Sequence, residues 1–131
     1  MFIETSAIVE VLVGGPHSDA LLESADLAAT GFLVSPTVEF EATSALATRL
    51  RLPVESARDQ VRKFVDQLQA GRMTITPEIG EIAIAAMARY GKGRGHPAQL
   101  NFGDCFSYAC AKAAGVPLLY VGDDFSKTDL A

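Results

Sequence analysis

Short apolar segments alternate along this chain with longer segments in which apolar residues recur every three to four positions. The short segments have the length of strands, and the longer ones have the period of amphipathic helices. Strands separated by helices are joined by right-handed crossovers, so their sheet is mainly parallel and is covered on both faces. The sequence therefore predicts an α/β sandwich of three layers, in which helices flank a mainly parallel central sheet.

Helix boundaries are indicated by capping residues and prolines. Ser35-Pro36 and Thr76-Pro77 each place a capping hydroxyl before a proline suited to the first helical turn. Asn101 can cap the last helix, which Gly115 would end, and Gly71 is the expected stop of the helix that follows Pro53. The predicted strands are 1–3, 31–35, 73–76 and 117–121, and the predicted helices are 6–13, 18–29, 36–51, 54–70, 77–90 and 102–114.

Composition narrows the class of protein. A length of 131 residues predicts that residues 1–131 form a single domain. No stretch approaches the roughly 18 apolar residues of a membrane span, and the first strand has no export signal before it, so we expect a cytoplasmic protein without membrane contact. Cys105 and Cys110 are expected to be small core residues, because their spacing suits neither a disulfide nor zinc.

Acidic residues fall at the edge of the predicted sheet where α/β proteins bind ligands, beyond the carboxyl ends of the strands. Glu4 ends the first strand, and Asp104 lies in the first turn of the last helix. Glu41 lies in the second turn of the helix after strand 2, and helical spacing alone does not separate it from Glu39. Asp123 and Asp124 follow the last strand. Taken singly, an acid in a first helical turn or in a turn after glycine has a structural explanation that needs no ligand.

Together these acids need an explanation, because close carboxylates repel and raise one another's pKa unless a positive charge neutralises them. A divalent cation is the simplest answer. The candidate ligands are all oxygen atoms, which indicates Mg²⁺ or Mn²⁺ rather than zinc. Such ions typically act on phosphate esters. They would also allow a chain with a net charge of −5 to approach RNA.

Three segments carry a family resemblance: FIETSAIVEVL at 2–12, SPTVEFEATSAL at 35–46, and the segment 96–130, with its Asn-x-x-Asp, Gly-Asp-Asp-Phe and Thr-Asp motifs. They resemble the PIN-domain ribonucleases, in particular the VapC-type toxins of bacterial toxin–antitoxin pairs. The resemblance spans the whole chain. It implies a PIN-like fold and a Mg²⁺-dependent (or Mn²⁺-dependent) endoribonuclease that cuts a restricted RNA target. It also implies a homodimer and a cognate antitoxin protein.

The same resemblance assigns candidate site residues. The implied metal-binding and catalytic acids are Glu4, Glu41, Asp104 and Asp123 or Asp124. Thr5, Ser6 and Asn101 would orient these carboxylates by hydrogen bonds, and Ser6 is also the expected N-cap of the first helix.

The chain departs from the family at one position, because Glu4 stands where the family has Asp. The extra methylene displaces the carboxylate, while Mg²⁺ requires strict octahedral geometry. An alternative function is therefore a catalytically weakened PIN-fold module that binds RNA or antitoxin without efficient cleavage. A phosphate-handling signalling domain of receiver type is disfavoured, because that fold has its adjacent acids after the first strand.

Basic residues suggest where RNA would lie. Lys92, Arg94 and His96 occupy the loop just before the last helix, where they are well placed to contact a phosphate backbone. The basic residues of 49–63 are expected to form a solvated helix face with ion pairs. The GKGRG segment follows a helix rather than a strand and lacks a Lys-Ser/Thr ending, which excludes a phosphate-binding P-loop.

Overall fold

The computed structural model describes residues 1–26 and 31–131. Within these ranges it contains four short strands and six helices. The predicted end of the second helix, at residue 29, lies outside the described residues. In chain order the elements are β1 (Phe2–Ile3), α1 (Thr5–Val13), α2 (Ser18–Asp26), β2 (Leu33–Val34), α3 (Pro36–Leu50), α4 (Val54–Gln67), β3 (Gly71–Arg72), α5 (Pro77–Tyr90), α6 (Phe102–Ala114) and β4 (Leu118–Leu119).

The strands form one parallel sheet in the order β3-β2-β1-β4. Phe2 is paired with Leu33 on one side and with Leu118 on the other, so β1 is central. The predicted α/β fold with a parallel sheet is confirmed. Because all strands run in the same direction, the residues after β1, β2 and β4 emerge at the same edge of the sheet.

The core lies between the sheet and its helices. Phe2, Ile3 and Val34 of the strands are almost completely buried. Helix α4 contributes a stripe with helical spacing, of which Ala57 and Val61 are buried, and it packs against α3. Helices α5 and α6, which belong to the second half of the sequence, pack against each other. None of the helices in the described ranges has the length and hydrophobicity needed to cross a bilayer.

The predicted caps Ser35, Thr76 and Asn101 are confirmed, since each side chain accepts a hydrogen bond from the backbone N–H three residues later. The N-cap of α1 was predicted wrongly. Glu4 rather than Ser6 is the cap, and the helix begins at Thr5. Glutamate is not among the preferred capping residues, so the sequence pattern favoured the hydroxyl instead.

The boundary between α4 and β3 was also predicted wrongly. Helix α4 ends at Gln67, and Gln69, with φ of 52°, makes the left-handed turn that was expected at Gly71. Gly71 instead begins β3, two residues before the predicted strand 73–76. The cause is tertiary: the Gly71 N–H donates to the Phe32 carbonyl, so pairing with the β2 segment decides where the strand lies.

Candidate active site

Glu4 leaves the carboxyl end of β1 and turns back onto the first turn of α1. Its Oε2 accepts hydrogen bonds from the Ser6 backbone N–H, at 2.7 Å, and from the Ser6 hydroxyl. The residue is only 4% exposed. Burial raises the pKa of the Glu4 carboxyl, the two bonds from Ser6 oppose that rise, and the charge of Glu41 adds to it. Glu4 is thus a buried carboxylate held in one orientation.

Ser6 connects two segments that are far apart in the chain. While its hydroxyl donates to Glu4, its oxygen accepts a hydrogen bond from the Val121 backbone N–H at 2.9 Å. Val121 lies two residues after the end of β4 and directly precedes the Gly-Asp-Asp turn. Ser6 therefore fixes the position of Glu4 relative to the chain that carries Asp123 and Asp124.

Glu41 reaches the same region from α3. Thr5 Oγ1 donates to Glu41 Oε1 at 3.2 Å. A methyl group added at Gly103 would come within 2.0 Å of Glu41 Oε2, so the carboxylate lies directly against the backbone of α6. Burial raises the pKa of Glu41, the Thr5 bond opposes it, and the charge of Asp104 raises it further. Glu39 faces elsewhere and forms an ion pair with Arg72 at 3.0 Å.

Asp104 is oriented by a capping box at the start of α6. The Asn101 side chain accepts from the Asp104 N–H at 2.9 Å, and Asp104 Oδ2 accepts from the Asn101 N–H at 3.1 Å. Burial raises the pKa of Asp104 to about 6, and the charges of Asp124 and Glu4 contribute to the rise. The hydrogen bond from the Asn101 N–H opposes it.

The two aspartates after β4 differ in their relation to this region. Both are exposed. The Asp123 carbonyl accepts hydrogen bonds from the backbone N–H and the hydroxyl of Ser126, which closes the turn. Of these two aspartates, Asp124 is the one whose charge raises the pKa of Asp104, together with that of Glu4. This favours Asp124 as the partner of Asp104, a choice that the sequence left open.

We call Glu4, Glu41, Asp104 and Asp124 the acidic edge. Each member interacts electrostatically with at least one other, and among the groups in the described chain that shift the pKa values of Glu4, Glu41 and Asp104 none is basic. Within residues 1–26 and 31–131, no three His, Cys, Asp or Glu side chains already have the arrangement of a metal site. The donors of the acidic edge are all carboxylate oxygens, which is the chemistry that Mg²⁺ and Mn²⁺ accept.

The loop expected to contact RNA divides into two parts. His96 has a structural environment, since its Nδ1 accepts from the Ala98 N–H at 3.0 Å and its ring packs edge-on against Tyr90. Lys92 and Arg94 are exposed. The geometry therefore favours these two cations over His96 as contacts for an anionic ligand.

Gly103 and Phe102 were not singled out from the sequence. Gly103 matters because a side chain there would displace the Glu41 carboxylate. The available signal was a glycine in the first turn of a helix, directly before Asp104, where helix propensity disfavours it. Phe102 is a large apolar residue that is exposed at the first position of α6.

Comparison with known families and sequences gives consistent matches. Residues 1–130 match the PIN domain family. A VapC ribonuclease of Rhizobium meliloti (strain 1021) is 44% identical over 140 residues, which covers 98% of each chain. Ribonuclease VapC of Mycolicibacterium smegmatis is 36% identical over 131 residues, covering 100% of this chain and 98% of the relative.

Solved structures share the fold at low sequence identity. VapC20 of Mycobacterium tuberculosis, described as a Sarcin-Ricin loop cleaving toxin, superposes with a TM-score of 0.73 at 17% identity, covering 95% of this chain and 92% of that one. A toxin-antitoxin complex from Klebsiella pneumoniae gives a TM-score of 0.68 at 16% identity, covering 98% and 92%.

Proposed function

This chain belongs to the PIN domain family and, within it, to the VapC ribonucleases, and from that premise we propose that it is the endoribonuclease toxin of a toxin–antitoxin pair. Its reaction is the metal-dependent hydrolysis of RNA phosphodiester bonds. The observation that carries the proposal is the acidic edge, where burial and then the charges of neighbouring acids raise the pKa values of Glu4, Glu41 and Asp104. A protein retains such repulsion where a ligand relieves it.

Glu41, Asp104 and Asp124, together with Glu4, are the residues that would hold Mg²⁺ or Mn²⁺. When bound, the ion would supply an acidified water as nucleophile and positive charge for the phosphate oxygens. Asp123 is the alternative for the last acid, but its carbonyl is engaged in the turn with Ser126, which is why we prefer Asp124.

The chain's own polar residues keep these carboxylates in place. Thr5 holds Glu41, Ser6 holds Glu4, and Asn101 holds Asp104, each by a direct hydrogen bond. Such supporting bonds orient ligands, and their loss typically costs 10- to 100-fold in metal affinity or activity, roughly. Lys92 and Arg94 would attract the RNA backbone, which the acids alone would repel.

The test is cleavage of total RNA by the purified chain with Mg²⁺ or Mn²⁺ and with EDTA. We expect cleavage only with the divalent ion, and we expect Asp104→Asn to abolish it. Glu4→Asp separates this proposal from the binding-module alternative. If the wild-type chain does not cut RNA and Glu4→Asp does, the natural chain is a binding module and the enzyme proposal is wrong.

Assembly and location complete the proposal. We propose that residues 1–131 fold as one cooperative unit, that two copies form a homodimer, and that a cognate antitoxin covers the acidic edge in the cytoplasm. The toxin-antitoxin complex from Klebsiella pneumoniae supports the existence of such a partner for this fold. Light scattering tests the dimer, and a single unfolding transition seen by two probes tests the single domain.

A further inference from the structure

A groove of about 430 Å³ opens between α5, α6 and the loop that joins them. Its most exposed large apolar residue is Phe102, which is 75% exposed and whose ring lies 4.9 Å from that of Phe106 at an angle of 47°. Exposed apolar groups of this size, grouped in one concave surface, indicate a binding site. We call it the aromatic groove, and its walls include Ile84, Met87, Lys92, Arg94, Phe102 and Phe106.

The aromatic groove and the acidic edge meet at the first turn of α6. Asn101 lines the groove, and its side chain accepts from the Asp104 N–H. Phe102 is followed by Gly103, against which the Glu41 carboxylate lies. The groove and two of the carboxylates are therefore positioned by the same helix N-terminus.

Charge indicates the chemistry of the occupant. Lys92 and Arg94 line the groove and are exposed, and neither forms an ion pair with any residue in the described ranges. The occupant should thus combine a flat apolar face for Phe102 with an anionic group for the two cations. An unpaired nucleotide has both, since its base can stack on an aromatic ring while its phosphate contacts Lys or Arg.

We propose that Phe102 is a stacking platform for an unpaired nucleobase of the RNA substrate, and that Lys92 and Arg94 contact the phosphate beside that base. This inference rests on the proposed ribonuclease function and deepens it, because it assigns a base-binding residue outside the acidic edge. Bases within an RNA duplex are stacked on each other and do not present a free face to a side chain.

Binding is measured by fluorescence anisotropy in an Asp104→Asn background, which prevents cleavage during the titration. The ligands are a short single-stranded RNA and a strand of equal length and charge in which tetrahydrofuran spacers replace every nucleoside. Phe102→Ala should weaken binding of the RNA about five- to 150-fold, which is the range for loss of one base–aromatic stack. It should leave the base-free strand unaffected, and Phe102→Trp should restore RNA binding.

Phe40→Ala is the matched control, since Phe40 is a phenylalanine of similar exposure, 77%, on α3 and outside the aromatic groove. It should bind both strands like the parent. Equal loss for the RNA and the base-free strand on Phe102→Ala would contradict stacking. A change in molecular mass by light scattering on Phe102→Ala, with RNA binding unchanged, would make the groove a subunit interface and overturn the proposal.

Cleavage kinetics distinguish a failure of this inference from a failure of the proposed ribonuclease function on which it rests. In the otherwise wild-type chain, Phe102→Ala should raise the KM for single-stranded RNA with little change in kcat, because the platform contributes binding rather than chemistry. Cleavage by the wild type with an unaltered KM for Phe102→Ala would overturn the platform alone. A wild-type chain that neither binds nor cleaves RNA would overturn the ribonuclease proposal together with it.

Discussion

Asp104 and Asp129 are both aspartates near the two ends of α6, yet their environments shift their pKa values in opposite directions. Burial, with the charges of Asp124 and Glu4, raises the pKa of Asp104 to about 6. The pKa of Asp129 is lowered, first by the bond from Lys112 and then by the bond from Tyr108. The distances are short: the Lys112 Nζ and the Tyr108 hydroxyl each lie 2.7 Å from an Asp129 carboxylate oxygen.

We interpret the difference as that between a structural acid and an acid that, in the proposed function, binds a ligand. The chain itself supplies the cation for Asp129, which ties the C-terminal segment to α6 and, through the Tyr90 hydroxyl, to α5. The acidic edge has no such cation among the residues that shift its pKa values. We therefore expect its ionised carboxylates to oppose folding in the metal-free protein, and we propose that a positive ligand relieves this cost.

Replacing Asp104 should have the largest effect. Asp104→Asn removes a carboxylate from the acidic edge but preserves its size, so we expect RNA cleavage to fall at least about 100-fold, as for loss of a group directly engaged in the chemistry. The thermal midpoint of the metal-free variant should not fall, because repulsion is relieved. Asp129→Asn is the control for cleavage, and a similar loss of cleavage in both variants would contradict the distinction between the two regions.

The pH dependence of stability should also differ between the two regions. The pKa of an aspartate in the unfolded chain is about 3.9, whereas burial raises the pKa of folded Asp104 to about 6. Between these values the folded state keeps a proton that the unfolded state has lost, so the stability contributed by protonated Asp104 is lost as pH rises through this window. The loss is on the order of 3 kcal/mol, with Glu4 and Glu41 acting in the same direction.

Urea unfolding in EDTA at several pH values measures this effect. Asp104→Asn should flatten the decline between about pH 4 and pH 6. Asp129 affects stability in the opposite direction, because its pKa in the folded protein is depressed. Its ionised carboxylate stabilises the fold above the pKa of the unfolded state, and this stability is lost as pH falls through the pKa of the folded state. Stability that rises with pH across the window in EDTA would show that the acidic edge is not repulsive.

Removing the charge of Asp129 should have a smaller effect, and it should act on stability alone. Asp129→Asn weakens the bonds from Lys112 and Tyr108, and we expect the free energy of unfolding to fall by about 1 kcal/mol. The value is at the low end for charged hydrogen bonds because the Asp129 side chain is 37% exposed and solvent screens the pair. Denaturant unfolding at neutral pH measures it, and cleavage of RNA per folded molecule should stay unchanged.

The smallest effect is expected at Gly103. A methyl group there would overlap the Glu41 carboxylate, which is the far end of a flexible side chain and can move away. Gly103→Ala should therefore lower cleavage several-fold, at most about tenfold, by displacing one carboxylate. Stability should not decrease, since alanine favours the helix. Gly80→Ala in α5, where an added methyl group meets nothing within 4 Å, is the matched control.

Much of the fold could be predicted because its signals are local. Ser35, Thr76 and Asn101 begin helices through bonds that each makes within three residues, so the sequence alone shows them. The position of β3 could not be predicted in this way, because pairing of the Gly71 backbone with Phe32 decides it. Local patterns do not contain that information.

The candidate site was predictable to the same extent. The topology of a parallel sheet places Glu4, Glu41 and Asp104 at one edge whatever their details. The preference for Asp124 over Asp123 depends on the path of the turn after Gly122, which has a φ of 96°. The use of Glu4 as a helix cap depends on its rotamer and on Ser6. Such details follow from packing and not from residue spacing.

Diffraction from crystals soaked in Mn²⁺ would test the acidic edge most directly, because the anomalous signal of manganese locates the ion independently of the protein atoms. We predict a peak bound by oxygens of Glu4, Glu41, Asp104 and Asp124, at distances of roughly 2.1 Å, and no peak at Asp129. Soaked crystals that show no peak at the acidic edge, or manganese only at other carboxylates of the surface, would contradict the claim that these acids form a cation site.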